Sequence, residues 1–136
     1  TVGPFAYLRP GSKIGSGCKV GDFVEVKNSN VGDGTKLPHL AYIGDADIGK
    51  ACNIACGTIF VNYDGKIKQR STVEDHCFIG CNVNLVAPVA VREGAYVAAG
   101  TTVTEEVEAG SMAIGRVRAE TKPEWADKRR KQGKLK

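Results

Sequence analysis

With 136 residues, 42% of them hydrophobic, and a formal charge of +4, the chain has the size of one domain and enough apolar residues for one core. It has no run near the roughly 20 apolar residues of a membrane span and no basic-then-apolar opening, so a soluble, cytosolic protein is expected. Five cysteines without Cys-x-x-Cys pairs, and only two histidines, give no zinc-ligand pattern, and no metal is expected.

From the first residues a branched aliphatic recurs every six positions: Val2, Leu8, Ile14, Val20, Val26, then Val31, Leu37, Ile43, then Ile48, Ile54, with Phe60 closing the series. After a gap it resumes at Val73 and runs through Ile79, Leu85, Val91 and Val97 to Val103. Four residues after most anchors stands a small or β-branched residue, among them Cys18, Thr35, Cys52, Thr58 and Cys77. A helix needs a period near 3.6 and an amphipathic strand a period of two, so a strict six fits neither. In an extended segment residues two apart share a face. Each anchor and the small residue two before the next one therefore point inward, and the remaining positions turn a corner. Gly directly after an anchor, as at Gly21, Gly44 and Gly80, fits a corner through positive φ or close backbone approach.

Three sides close into a triangular coil of about eighteen residues, with successive coils about 4.8 Å apart. The predicted fold is all-β, a parallel β-helix. Val2 is already in register, as expected of a chain that begins inside a repeat array and is a piece of something longer. Cys18, Cys52 and Cys77 fall on inward positions and are expected in the core, whereas Cys56 and Cys81 fall at corners.

Two spacings shorten to five, Val26 to Val31 and Ile43 to Ile48, and one lengthens to thirteen between Phe60 and Val73. The long one places an inserted loop over 64–71, projecting from a β-helix domain of residues 1–114. The period ends after Ala113. In the tail, 115–136, Lys and Arg outnumber Asp and Glu nine to three, and a short helix with Pro123 in its first turn is predicted. Such a tail is either a solvated end or an arm for a polyanion. No aromatics are interleaved with its charges, which argues against nucleic acid and favours a phosphate-rich cofactor.

Arg9 and Lys27 each follow an anchor, eighteen residues apart, so they stack about 5 Å from one another. Like charges that close either meet by chance on a surface or hold an anion, and a phosphate site is the favoured reading. His39 is expected one coil above Glu25, with Tyr42 at the end of its own side and the two cations on the adjoining face. A carboxylate beside an imidazole fixes its tautomer and raises its basicity, as a general base near neutral pH requires. His76, beside Glu74 and Asp75, is expected on the plain surface.

Specific strings carry more than the hexad: Phe-Ala-Tyr-Leu-Arg-Pro-Gly (5–11), Gly-Asp-Phe-Val-Glu-Val-Lys (21–27), His-Leu-Ala-Tyr-Ile-Gly-Asp (39–45), Gly-Thr-Ile-Phe-Val-Asn-Tyr-Asp-Gly (57–65) and Ala-Ala-Gly-Thr-Thr-Val-Thr (98–104). They resemble the C-terminal acetyltransferase domain of the bacterial bifunctional glucosamine-1-phosphate N-acetyltransferase and uridylyltransferase family, within the hexapeptide-repeat acyltransferases. The resemblance implies a left-handed coil, against the usual right-handed crossover. It implies acetyl transfer from acetyl-CoA to the 2-amine of glucosamine 1-phosphate, on the path to UDP-N-acetylglucosamine, by a homotrimer with sites between subunits. His39 would be the general base and Glu25 would orient it. Arg9, Lys27 and Lys68 would hold the phosphate, and Tyr42, Asn53 and Asn62 the sugar. The Cys56 N–H would face the oxyanion. Asn62, Tyr63, Cys81, Ala99 and Arg116 complete the acetyl-CoA side, with Tyr63 closing the pocket. The family usually carries Ala or Ser where this chain has Cys56 and Cys81, so sensitivity to thiol reagents is expected through Cys56. The Gly-rich loop of the uridylyltransferase half is missing, so this chain is not expected to make UDP-sugar. Two readings stay open beside this one: another hexapeptide-repeat acyltransferase, and a catalytically silent scaffold.

Overall fold

A computed structural model describes residues 1–136. Seventeen short strands follow one another: β1 (Tyr7–Leu8), β2 (Lys13–Ile14), β3 (Lys19–Asp22), β4 (Glu25–Lys27), β5 (Asn30–Val31), β6 (Lys36–His39), β7 (Tyr42–Gly44), β8 (Ala46–Ile48) and β9 (Asn53–Ile54). They continue with β10 (Ile59–Val61), β11 (Ser71–Val73), β12 (Phe78–Ile79), β13 (Asn84–Val86), β14 (Ala90–Val91), β15 (Tyr96–Val97), β16 (Thr102–Val103) and β17 (Met112–Ala113), before one helix, α1 (Trp125–Lys131). As far as β16 every third strand falls in the same sheet, and β17 then adds to β15, giving the orders β1-β4-β7-β10-β13-β16, β2-β5-β8-β11-β14 and β3-β6-β9-β12-β15-β17. All strand pairs are parallel, as in Leu8 on Val26 and Val26 on Ile43. The architecture is the expected three-sided parallel β-helix, of about six turns.

Every anchor from Val20 to Val103 is buried; Val2, Leu8 and Ile14 are not, because they lie in the first coil, which is covered from one side only. The inward small positions hold as well. Thr35 donates its hydroxyl to Gly49 O at 2.7 Å and accepts from Cys52 N at 3.0 Å, which satisfies a polar group inside the prism. Cys52 and Cys77 lie in the core, donating to Glu74 O and Arg92 O at 3.0 Å, and burial pushes both thiols up. Ser29 and Ala46 take the corresponding slots of the shortened hexads; each stands two before an anchor.

Those shortened hexads correct the eighteen-residue coil. Lys19 pairs with Lys36 and Glu25 with Tyr42, both at seventeen, because dropping one residue from a corner shortens the turn without disturbing the inward pairs. The coil containing the insertion takes twenty-five, from Asn53 to Phe78, and eighteen returns from Leu85 to Val103.

Left-handed residues mark the corners in columns. One corner carries Phe5, Phe23, Leu40, Gly57, Asn82 and Gly100, and another carries Gly11, Asn28 and Asp45. His76 occupies the third, exposed, as expected of a surface residue. The glycines that directly follow anchors play a different part. Gly21 has no positive φ, but a Cβ there would strike the carbonyl oxygen of Pro38 in the next coil. Gly21→Ala is therefore expected to cost about 1–3 kcal/mol through forced backbone displacement. Thermal melting checks this, and an unchanged midpoint would mean the corner yields freely.

The insertion is a short tongue. Tyr63 bridges Lys68 antiparallel, and Asp64 Oδ1 accepts from the backbone N–H of Lys66 and Ile67 at 2.8 Å, which holds its carboxyl low. Arg70 anchors the root by two bonds to Asp47, at 2.7 and 2.8 Å. In the tail, Pro123 lies just outside α1 and not in its first turn. Glu124, at φ 60°, is left-handed and starts the helix only after itself. None of the helix is buried, and no helix is long and apolar enough to cross a membrane.

Candidate active site

Lys27 and Asn62 lie towards the corner of Asn28 and Asp45, while His39, Glu25 and Tyr42 flank another corner of the prism, the one turned by Phe23 and Leu40. His39 ends β6 on one side of it, exposed, in register with Asp22. Glu25 and Tyr42 open β4 and β7 on the other side, paired with each other. His39 is thus not one coil above Glu25. The two are fourteen residues apart, three short of the local turn, so they sit on adjoining sides. The imidazole makes no hydrogen bond or ion pair within the chain. Glu25 accepts instead from Arg9 Nη1 at 3.0 Å.

The stacked cations are in register as predicted, but each already has an anion. Arg9 pairs with Glu25, both about 40% exposed, and Lys27 pairs with Asp45 at 3.3 Å. The second pair is the stronger feature, since its side chains are only 17% and 10% exposed. Asp45 also accepts from Asn28 Nδ2 at 2.8 Å and Asn62 Nδ2 at 2.7 Å. Burial pushes the Asp45 carboxyl up, but the bonds from Asn28, Asn62 and Lys27 together outweigh it and hold it below the usual carboxylate range. Asn62 is buried and extends this network to the Tyr42 hydroxyl at 3.3 Å. Asp45 and Asn28 were not among the predicted residues. Their signal was available: Asn28, Asp45 and Asn62 recur at intervals of seventeen.

The remaining predicted residues divide into groups. Asn53 lies on the His39 side, in register between Lys36 and Phe78. Tyr63 and Lys68 are exposed on the tongue, the Tyr63 hydroxyl donating to Gly65 O at 2.7 Å and Lys68 having no acidic partner. Cys56, Cys81 and Ala99 follow His39 up the same corner at steps of one coil, since Asn82 N donates to Cys56 O at 2.9 Å and Gly100 N to Cys81 O at 2.8 Å. Arg116 closes the column by donating to Ala99 O at 2.8 Å. The Cys56 N–H, like those of Cys81 and Ala99 above it, has no acceptor in the chain.

No family model matches the chain. Over 134 residues, 98% of its length, it is 59% identical to a protein named bifunctional protein GlmU from Brevibacillus brevis, of which it spans 29%. It is 54% identical over 129 residues to the GlmU of Clostridium beijerinckii, spanning 28% of that protein. The chain is thus a homologue of the C-terminal part of proteins named GlmU. It therefore covers less than a third of the length of these GlmU relatives. Among solved structures, the acetyltransferase domain of PglB from Neisseria gonorrhoeae aligns with a TM-score of 0.76 at 20% identity, over 84% of this chain and 53% of that one. The same domain is also known in complex with acetyl coenzyme A. AntD, an N-acyltransferase from Bacillus cereus solved with dTDP and 3-hydroxybutyryl-CoA, aligns with a TM-score of 0.65 at 16% identity, over 97% of this chain and 85% of that one. These two likenesses carry the fold.

Proposed function

We propose that this GlmU homologue transfers an acetyl group from acetyl-CoA to the 2-amine of glucosamine 1-phosphate. The observation that carries the reading is the corner itself. An unpartnered imidazole and a free N–H at Cys56 share one corner, and the Arg9 and Lys27 column lies along the side that leaves it, on a chain 59% identical to a GlmU protein. A sugar ammonium is no nucleophile until it loses its proton, and His39 takes it. The amine attacks the thioester carbonyl, charge develops on its oxygen, and the Cys56 N–H donates to that oxygen before the CoA thiolate leaves. No covalent enzyme intermediate is needed, so the remaining work is orientation.

Asn53, Tyr42 and Asn62 orient the sugar. Glu25 acts through Arg9, holding its guanidinium at the phosphate. Because Arg9 with Glu25 and Lys27 with Asp45 are already neutral pairs, the surplus positive charge that a phosphate needs comes from Lys68 on the tongue. Tyr63, Cys81, Ala99 and Arg116 take the acyl donor, with the basic tail towards its phosphates.

A homotrimer completes the site on this reading. Phe5, Phe23 and Leu40 are 75%, 60% and 55% exposed at left-handed corners, and Phe5 stacks on Phe23 at 5.6 Å. Bulky residues in that conformation cost roughly 1 kcal/mol or more each, and here they spend it presenting apolar surface beside His39, as a subunit contact would require. The reaction belongs in the cytoplasm, where free thiols persist. Purified chain given acetyl-CoA and glucosamine 1-phosphate is expected to release CoA and form the N-acetylated sugar phosphate, followed by mass. No turnover of that acceptor would end the reading.

A further inference from the structure

Two of the five cysteines stand apart from the core. Cys56 is half-buried and Cys81 exposed, and both are free. The register sets them side by side. Asn53 pairs with Phe78 and Ile54 with Ile79, while beyond the cysteines a Cβ on Gly57 would strike the Asn82 side chain. Cys56 and Cys81 are therefore in-register neighbours on successive coils, bracketed by matched pairs on both sides. Parallel neighbours lie about 4.8 Å apart, inside the roughly 4.4–6.8 Å of Cα separation that a disulfide spans, and their side chains leave the sheet in the same direction. No acid or buried carbonyl claims either thiol, in contrast to Cys52 and Cys77.

We propose that Cys56 and Cys81 form an exposed dithiol that low-molecular-weight disulfides oxidise to an intrachain disulfide, closing the corner to the acyl donor. The Cys81 thiolate attacks the small disulfide, forms a mixed disulfide and expels one small thiolate. The Cys56 thiolate then attacks the Cys81 sulfur and expels the second. Two protein thiols are oxidised by two electrons, one small disulfide is reduced to two thiols, and the two protons pass to the departing thiolates. The preferred Cβ separation in a disulfide is about 3.8 Å, shorter than the coil spacing, so the bond draws two corners together and stays open to reduction. Closure of the donor edge rests on the proposed function, because Ala99 and Arg116 continue the same column.

The test uses the full chain, reduced and then exposed to excess oxidised glutathione. Intact mass is expected to show the loss of two hydrogens with no retained glutathione, and peptide mapping a Cys56–Cys81 link that dithiothreitol removes. C56S and C81S should each stop at a mixed disulfide on the remaining cysteine. Acetyl transfer in the wild type should fall in proportion to the cross-linked fraction and return on reduction. Glutathione retained on both cysteines, without the link, overturns the dithiol. A link that leaves turnover untouched overturns closure of the donor edge. An inactive reduced protein that still forms the link counts against the proposed function and leaves the dithiol standing.

Discussion

His39→Ala is expected to lower kcat for acetyl transfer by about 10²–10⁴-fold while leaving the melting temperature and the assembly unchanged. The size follows from removing a positioned general base from a step that must deprotonate an ammonium. The insensitivity of the fold follows from the site, since the imidazole is exposed and makes no hydrogen bond in the chain, and such substitutions lie within about 0.5 kcal/mol. The two readouts separate the enzyme from the silent scaffold. A scaffold would lose nothing, so an unchanged rate of CoA release would remove His39 from the chemistry. The pH profile adds a second check, because the wild-type rate should rise with deprotonation of one group and the variant should lose that limb.

The prism was legible because its signal is repeated many times over. Six-residue anchors from Val20 to Val103 all proved buried, and one misplaced residue could not have hidden that period. Vertical neighbours were legible only where the coil length was right. Arg9 and Lys27 stack because the first coil does have eighteen residues, as Leu8 on Val26 shows. Past Val26 the turn is seventeen, and the count drifts by a residue in each coil. That drift passed by Asp45, which sits seventeen beyond Asn28 and seventeen before Asn62, whereas setting His39 over Glu25 was a separate misplacement, since the two are fourteen residues apart and the true partner of His39 is Asp22. The Arg70 clamp on Asp47 was hidden for a related reason. An insertion separates them by twenty-three residues, and nothing local fixes where a tongue re-enters the register. The free N–H of Cys56 is a property of corner geometry, invisible in residue types.

Asp45→Asn is expected to destabilise the fold by about 3–5 kcal/mol, although the substitution is isosteric and Asn tolerates the left-handed corner as well as Asp does. The reason lies in the donors. Asp45 receives bonds from Asn28, Asn62 and Lys27, and an amide would turn its own N–H₂ towards them and leave a largely buried ammonium without a counter-charge. Because Asn62 also reaches Tyr42, the damage should spread to the sugar side of the site and raise KM for the phosphorylated amine. Acid discriminates this from a simple packing defect. The folded carboxyl is held below its unfolded value, so its contribution is complete above the unfolded pKa and is lost as pH falls through the folded one. Urea unfolding at pH 7 should therefore separate wild type and variant widely, and the gap should narrow below about pH 4. A gap that stays constant on acidification would mean that the Asp45 charge does not hold this corner together, and that Lys27 is held by something other than its carboxylate.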